Sequence, residues 1–316
     1  MRPLHHPTRP QWALAGLILA LAVGVVAVRV VKGVGLGQTA AFYIGIPSVF
    51  ALVLALSTPA KSLVGMTMRA ITIALLLAMP VLGEGFVCVL VAAPLCYAVG
   101  LLVALLVGWA RRLDGPRAPA FVAPAVLLLM SCEGVTPATT LPDQQSVSAT
   151  RQVAATPEQV QAAVARPLRF ADRQPGGLLA LGFPRPLSDA GSGLGVGDRR
   201  TVTFSGAHHR PPGMTAHHWG EHSTELVLRV VDRTADSVTF ETVSDNTPLA
   251  TWLGWQRSRL SWRAVASGGT ELTWTLGFTR RLAPAWYFGP LEQVVATEAA
   301  GYLLDAIDLD PAVPQR

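Results

Sequence analysis

Between Trp12 and Ala110 the chain carries one acidic residue, Glu84, and long stretches with no charge at all. Crossing a bilayer core of about 30 Å as a helix takes roughly 20 apolar residues. Trp12 to Val31 meets that length, with no charge before Arg29, and Phe86 to Ala110 exceeds it. Ala40 to Ser57 approaches it with Pro47 inside, which membrane helices tolerate. Two runs are shorter. Ala70 to Leu82 can be extended back past Arg69, whose long side chain would snorkel toward the interface. Ala118 to Cys132 is interrupted by Pro124 and ends at Glu133. The expectation is an all-α membrane region over 1–132, with five spans at 12–31, 40–57, 66–82, 86–110 and 118–132.

Loop charges orient such a bundle. With the N-terminus cytoplasmic, the inner side holds Arg2, Arg9, Lys61, Arg69, Arg111, Arg112 and Arg117, and the outer side only Arg29 and Lys32. Dropping the Ala70 run would send Arg111 and Arg112 outside, so that run is kept. Spanning by 118–132 places the rest of the chain outside the cytoplasm; a run that lies flat would keep it inside. Spanning is the preferred reading, giving a multi-pass protein of the cell membrane. Glu84 is the one acid in this stretch, whereas transport usually needs intramembrane ionisable groups. The region reads as an anchor.

Composition agrees with a chain living partly out of water: charged residues are 14% and hydrophobic ones 51%, against about 25% charged in ordinary soluble domains. Up to Asp143 there are nine Lys and Arg against four acids, and beyond it 16 Arg against 16 acids. The whole +5 therefore belongs to the membrane half. A nucleic-acid module should show a basic face on its own folded domain, so nucleic acid is not an expected partner. Both lysines, Lys32 and Lys61, precede the C-terminal half, which excludes Schiff-base chemistry there. Cys88, Cys96 and Cys132 offer neither a disulfide framework nor zinc spacing.

Residues 133–145 (EGVTPATTLPDQQ) are polar, with two prolines and no apolar period, and read as a linker. A second domain follows over 146–310. Ser146 to Ala154 alternates like a strand. Thr156, Pro157 and Gln159 then form a capping box with proline at the first helical position, starting a helix that runs to about Ala165. Leu168 to Gly197, rich in Gly and Pro, reads mostly as loop. Strands are expected at 199–205, 221–232, 237–244, 255–266 and 270–280, with Gly268-Gly269 as a tight hairpin turn. Pro284 to Leu309 reads as a long helix with Phe288, Leu291, Val295, Tyr302 and Ala306 on one side and Glu292 and Asp305 elsewhere. The class is α+β, a curved antiparallel sheet packed on a long C-terminal helix.

This order and several phrases resemble the START-like (SRPBCC) superfamily of polyketide cyclases/dehydratases and lipid-transfer proteins. The phrases are Val153-Ala154-Ala155-Thr156-Pro157-Glu158-Gln159-Val160, the strand Asp198 to Phe204, the hairpin Leu226 to Phe240, and Pro284 to Ile307. The resemblance covers about Ser146 to Asp308 and none of the membrane half. It implies a helix-grip fold, with an apolar tunnel for a hydrophobic ligand between helix and sheet. The chain departs from the pattern at Gln161, where relatives commonly carry an aromatic, and in the insert Leu168 to Gly197.

Five of the seven histidines, His208, His209, His217, His218 and His222, crowd into fifteen residues. Imidazole ligates zinc or copper, so His217, His218 and His222 are a candidate metal set. The spacing suits neither a strand nor a loop entering one, and an exposed loop is the stronger reading. Trp252, Trp255, Trp262, Trp274 and Trp286 could line a tunnel or sit as ordinary core and rim aromatics. Arg257, Arg259 and Arg263 alternate and could hold phosphate headgroups, but a solvated outer face paired with acids such as Glu225 and Glu271 is favoured. No Gly-x-Ser-x-Gly nucleophile motif occurs, and Gly191-Ser192-Gly193-Leu194-Gly195 lacks the following helix a phosphate cradle needs. No cofactor is expected.

The function expected is a membrane-anchored binding domain for a hydrophobic small molecule or lipid, its cavity drawn from Trp255, Trp262, Trp274, Phe278, Phe288, Leu291, Val295 and Tyr302. The alternative is a cyclase, dehydratase or hydrolase in the same cavity. That would require an inward His, Asp, Glu or Tyr with a perturbed pKa, for which Tyr302 and His217/His218 are the candidates.

Overall fold

The computed structural model describes residues 7–31, 44–82, 86–113, 133, 141–171, 173–181, 183–205, 224–266 and 268–309. The chain divides into two compact units, Met1–Cys132 and Glu133–Arg316.

The N-terminal unit contains α1 (Arg9–Val31), α2 (Ile46–Leu56), α3 (Leu63–Leu82) and α4 (Phe86–Leu113). Three of these, α1, α3 and α4, are long and apolar enough to cross a membrane. Outward residues such as Leu17, Val23 and Leu105 are more than half exposed, an apolar surface that suits lipid better than water. Of the second span expected at 40–57, residues 40–43 lie outside the described residues, and α2 falls within the rest. The eleven residues of α2 reach only about 17 Å at 1.5 Å each. The fifth expected span, 118–132, lies outside the described residues.

Side chains of α1 and α3 satisfy the end of α2. The last carbonyls of a helix have no partner within it. Gln11 Nε2 donates to the carbonyls of Ala55 (3.1 Å) and Ser57 (2.7 Å). Arg69 donates to those of Thr58 (2.8 Å), Ala55 (3.0 Å), Ser57 (3.0 Å) and Leu54. Arg69 is thus a helix cap within the bundle, where the sequence suggested a side chain snorkelling to the interface. The Gln11 bonds also bring the start of α1, with Arg9, to the same end as the α2–α3 turn, with Lys61. Further along, Thr72 Oγ1 and Tyr97 OH, 2.8 Å apart, join α3 to α4.

The C-terminal unit is built on one antiparallel sheet of seven strands in the order β1-β7-β6-β5-β4-β3-β2. The strands are β1 (Gln144–Val153), β2 (Pro186–Ala190), β3 (Arg199–Phe204), β4 (Glu225–Arg233), β5 (Ser237–Asp245), β6 (Leu253–Ala264) and β7 (Thr270–Arg280). A short α5 (Pro157–Val164) follows β1, and the long α6 (Ala285–Asp305) ends the described fold. The capping box of α5 is present: Thr156 Oγ1 accepts from Gln159 N (3.4 Å) and Gln159 Oε1 from Thr156 N (2.9 Å). The β6–β7 turn needs left-handed backbone at Gly268 and Gly269, both at φ +89°, and a Cβ at Gly269 would meet the Val153 carbonyl.

One face of the sheet is apolar and the other polar, as period-2 alternation requires. Leu272, Trp274, Leu276 and Phe278 of β7 are buried, as are Leu260 and Trp262 of β6 and Val238 and Phe240 of β5. The opposite face carries Ser148–Thr275 and Thr150–Thr273 hydroxyl pairs at 2.8 and 3.0 Å. Arg263 pairs with Glu271 there (2.8 Å), while Arg257 and Arg229 share Glu241 at 3.8 and 3.5 Å. The solvated reading of the arginine row therefore holds, with Glu241 in the place expected for Glu225.

Strand β2 lies in the segment read mostly as loop. It is the sheet's outer edge, five residues beginning at Pro186 and pairing only with β3. An edge strand tolerates proline and need not alternate, so no apolar period marked it.

Candidate functional site

Helix α6 lies on β1 and β7, and the face it turns to the sheet is not the apolar stripe visible in its sequence. Its buried residues are Ala285, Gly289, Glu292, Ala296, Ala300 and Leu304. Phe288, Leu291, Val295 and Tyr302 are half-buried. Close contact with a sheet favours small residues at the point of approach, and bulkier side chains fall to the flanks. One flank meets a 3-10 turn, Gly177–Leu181, whose Leu178 and Leu179 amides donate to Glu298 at 2.8 and 3.3 Å. The placement of Glu292 away from the sheet is therefore corrected: it is 4% exposed, and its side chain is inside.

The two ends of the α6 seam differ. Toward its C-terminus, Ala300 and Leu304 join a continuous core with Val160, Val164, Leu260, Trp262, Leu272 and Trp274. Here Trp274 Nε1 donates to Ser258 Oγ at 2.6 Å, which satisfies the indole. Tyr302 stacks on Phe170, ring centres 6.0 Å apart, and donates to the Arg173 carbonyl at 3.3 Å. Burial pushes its phenol pKa up. A buried ion pair closes the far side: Arg200 and Asp189 meet at 3.1 Å, and Arg200 also donates to the carbonyls of Val164, the last residue of α5, and Arg166.

Toward its N-terminus, α6 covers a smaller cluster, Leu253, Phe278 and Ala296 with Trp252, Trp255 and Val147 at its margin. Trp255 and Phe278 meet edge to face at 6.0 Å. Beside them sit polar groups. Glu292 Oε1 accepts from Leu282 N at 3.3 Å, and burial pushes the Glu292 pKa up to about 7 against the pull of Arg280. Arg280 Nη1 donates to the Leu282 carbonyl at 2.8 Å and lies 3.8 Å from Glu133. Glu133 receives the Ala285 amide on both carboxylate oxygens, at 2.7 and 2.8 Å. It thereby supplies the acceptor that Pro284 at the N-cap cannot. Three buried atoms here, Glu292 Oε2, Gln145 Oε1 and Arg280 Nε, have no hydrogen-bond partner among the described residues.

A groove of about 440 Å³ opens along the same end. Leu141, Pro142 and Gln145 line it from β1 and the chain before it; Trp286, Gly289 and Pro290 line it from α6. A seven-stranded antiparallel sheet gripping one long C-terminal helix, with an opening where they part, decides the architecture. The C-terminal unit is a helix-grip domain.

No family model matches the chain, and no curated protein does. Solved structures that the helix-grip domain is similar to include truncated norcoclaurine synthase from Thalictrum flavum, at 13% identity over 53% of this chain and 94% of that one, with a TM-score of 0.33. The Zhui aromatase/cyclase from Streptomyces sp. R1128 is 17% identical over 52% of this chain and 92% of that one, TM-score 0.33. A Rhodobacter sphaeroides protein is 20% identical over 51% and 86%, TM-score 0.30. The strand order and the position of α6 carry the assignment.

The sequence-chosen site residues fall into three groups. Trp255 and Phe278 lie together by the N-terminal end of α6; Trp262 and Trp274 are in the main core; Phe288, Leu291, Val295 and Tyr302 flank the helix. His217, His218 and His222 lie outside the described residues, as do His208 and His209. Sequence reading missed Glu292, Arg280, Gln145 and Glu133. A helix that alternates Gly289 and Ala296 around a glutamate gives one signal for Glu292, since small residues on a long helix mark the face in close contact.

Proposed function

We propose that the chain is a membrane-anchored binding protein for an apolar small molecule or lipid, held by the helix-grip domain. The supporting observation is the make-up of the α6 seam at its N-terminal end. The helix packs Ala296 against Leu253 and Phe278 with Trp255 at the margin. About two turns earlier, Gly289, facing Gln145 and Arg280, lines a groove of about 440 Å³. That volume falls within the roughly 300–1,000 Å³ of small-molecule sites, which are mostly apolar with a few placed polar groups. Helices α1, α3 and α4 supply the anchor, and the basic residues Arg9 and Lys61 at one end of the bundle support a cytoplasmic N-terminus; a spanning 118–132 then carries the helix-grip domain to the other side. The full chain, purified into nanodiscs of one synthetic phosphatidylcholine, should carry a foreign apolar molecule or retain an apolar dye near one per chain. Extracts identical to empty nanodiscs, with no dye retained beyond theirs, would overturn the reading.

A second reading, proton-transfer chemistry in the same place, is favoured by Glu292. A buried carboxyl titrating near 7, with one oxygen unoccupied, is suited to general acid–base work at neutral pH. Exchange of the α-hydrogens of an apolar ketone for deuterium, measured with the full chain, should then exceed that of the Glu292→Gln variant. Equal rates for the two would remove this reading.

A further inference from the structure

We infer that the groove end of the α6 seam recognises the head group of its ligand, and that this head is a hydrogen-bond donor, neutral or cationic, and not an anion. The inference deepens the binding reading above and rests on it. Gln145 is the link between groove and interior: it lines the groove, yet its Oε1 is buried and without a partner among the described residues. Glu292, 4% exposed, adds a second such oxygen, Oε2. Arg280 links the two, lying with Gln145 about Gly289 and acting on Glu292. Buried polar atoms are nearly always paired, so these two open acceptors ask for N–H or O–H groups from outside the protein.

Charge gives the same sign. Arg280 is the cation of the cluster, and it already faces Glu133 at 3.8 Å and the Leu282 carbonyl at 2.8 Å. Two carboxyls, Glu133 and Glu292, share that one guanidinium. An anionic head would add a further negative charge against an arginine already engaged, with burial raising the cost. A hydroxyl, amide or ammonium adds none. Arg280 Nε, also buried without a partner among the described residues, is left to donate to a head that accepts as well, which an alcohol or amide does.

Gly289 is the passage. A methyl group there would sit 3.6 Å from Gln145 Nε2 and 3.7 Å from Arg280 Cδ, in ordinary contact with both. The missing side chain leaves the groove open above these two residues. Alanine at 289 fits without displacement, and a larger side chain would stand in the opening.

The test is equilibrium dialysis of octanamide, octylammonium, octanoate and the headless hydrocarbon octane against the full chain in nanodiscs, with empty nanodiscs subtracted. Octanamide and octylammonium should bind near one per chain, at least tenfold more tightly than octanoate. Gly289→Leu should abolish that binding, while Gly289→Ala, which keeps the fold, should weaken it by less. Glu292→Gln should reduce octylammonium binding at least tenfold and octanamide binding much less. Octanoate binding as tightly as octanamide, or octanamide binding undiminished in Gly289→Leu, would overturn the head-group assignment. Octane retained while no headed probe is would also overturn it, leaving the apolar-ligand reading in place. Failure of all four probes would remove both.

Discussion

The two ends of the α6 seam are made of the same helix and the same two strands, yet they hold buried polar atoms in different settings. At the C-terminal end the interior under the helix is hydrocarbon, where Trp274 binds Ser258 and Thr270 donates to the Ala155 carbonyl at 2.6 Å. On its far side Asp189 Oδ1, Arg200 Nε and Arg166 Nε are buried without a partner among the described residues, next to an ion pair that already engages Asp189 and Arg200. At the N-terminal end Glu292, Arg280 and Gln145 each keep an atom without a partner among the described residues. Each unsatisfied buried group costs about 1–3 kcal/mol, and what sets the N-terminal end apart is that one of its atoms, Gln145 Oε1, belongs to a residue lining the groove. The contrast separates the closed part of the seam from the part that opens to the groove.

The sharpest way to break that contrast is to empty the packed end. Trp262 is 2% exposed within the main core. Trp262→Ala should lower stability by about 3–5 kcal/mol, the usual range for a buried aromatic truncated to alanine. Urea denaturation of the full chain in detergent, read by pulse proteolysis of the helix-grip domain, would measure it. If the seam's C-terminal end is what holds the fold, apolar-dye binding by the fraction still folded should be unchanged. Loss of dye binding from folded protein would place the site in the main core instead, among the tryptophans singled out from sequence.

Much of the fold was legible before the structure, because it rests on short-range rules. The capping box at Thr156 and Gln159 fixed the start of α5, the alternation Leu272-Trp274-Leu276-Phe278 identified β7, and Gly268-Gly269 identified its turn. Edge strand β2 was not legible, since an edge strand beginning with proline carries no alternation. The span expected at 40–57 begins outside the described residues, and α2 accounts for its later part. The site was legible only on its sheet side. Apolar periodicity brought Trp255 and Phe278 forward, but it pointed to the wrong face of α6. A helix in close contact with a sheet buries its small residues, and the stripe of large ones, Phe288, Leu291 and Val295, is displaced to the side. Glu292 falls off the apolar side of the helix for the same reason, yet it is buried. Glu133 was assigned to a linker, and nothing in its local sequence announces that it caps a helix starting at Ala285.

The sharper test of the polar end is smaller in size and depends on pH. Burial raises the Glu292 pKa from 4.5 to about 7. The groups that face it are Arg280 and the Leu282 and Arg281 amides, with Glu133 on the other side of Arg280. A carboxyl whose pKa is higher folded than unfolded binds its proton more tightly in the folded state. Its contribution to stability is therefore fully present below pH 4.5 and is lost as pH rises through about 7. The difference between the two pKa values corresponds to on the order of 3 kcal/mol. Glu292→Gln keeps an oxygen to accept from Leu282 N and removes the ionisation. The variant should match the parent near pH 5 and be more stable by up to that amount at pH 8, in the same urea assay. Parallel stability profiles for the two proteins would mean that Glu292 is already solvated or paired. The N-terminal end of the seam would then be no different from the packed one. A gain at pH 8 that disappears when octylammonium is added to the parent would show a cation taking over the role that the proton plays at lower pH.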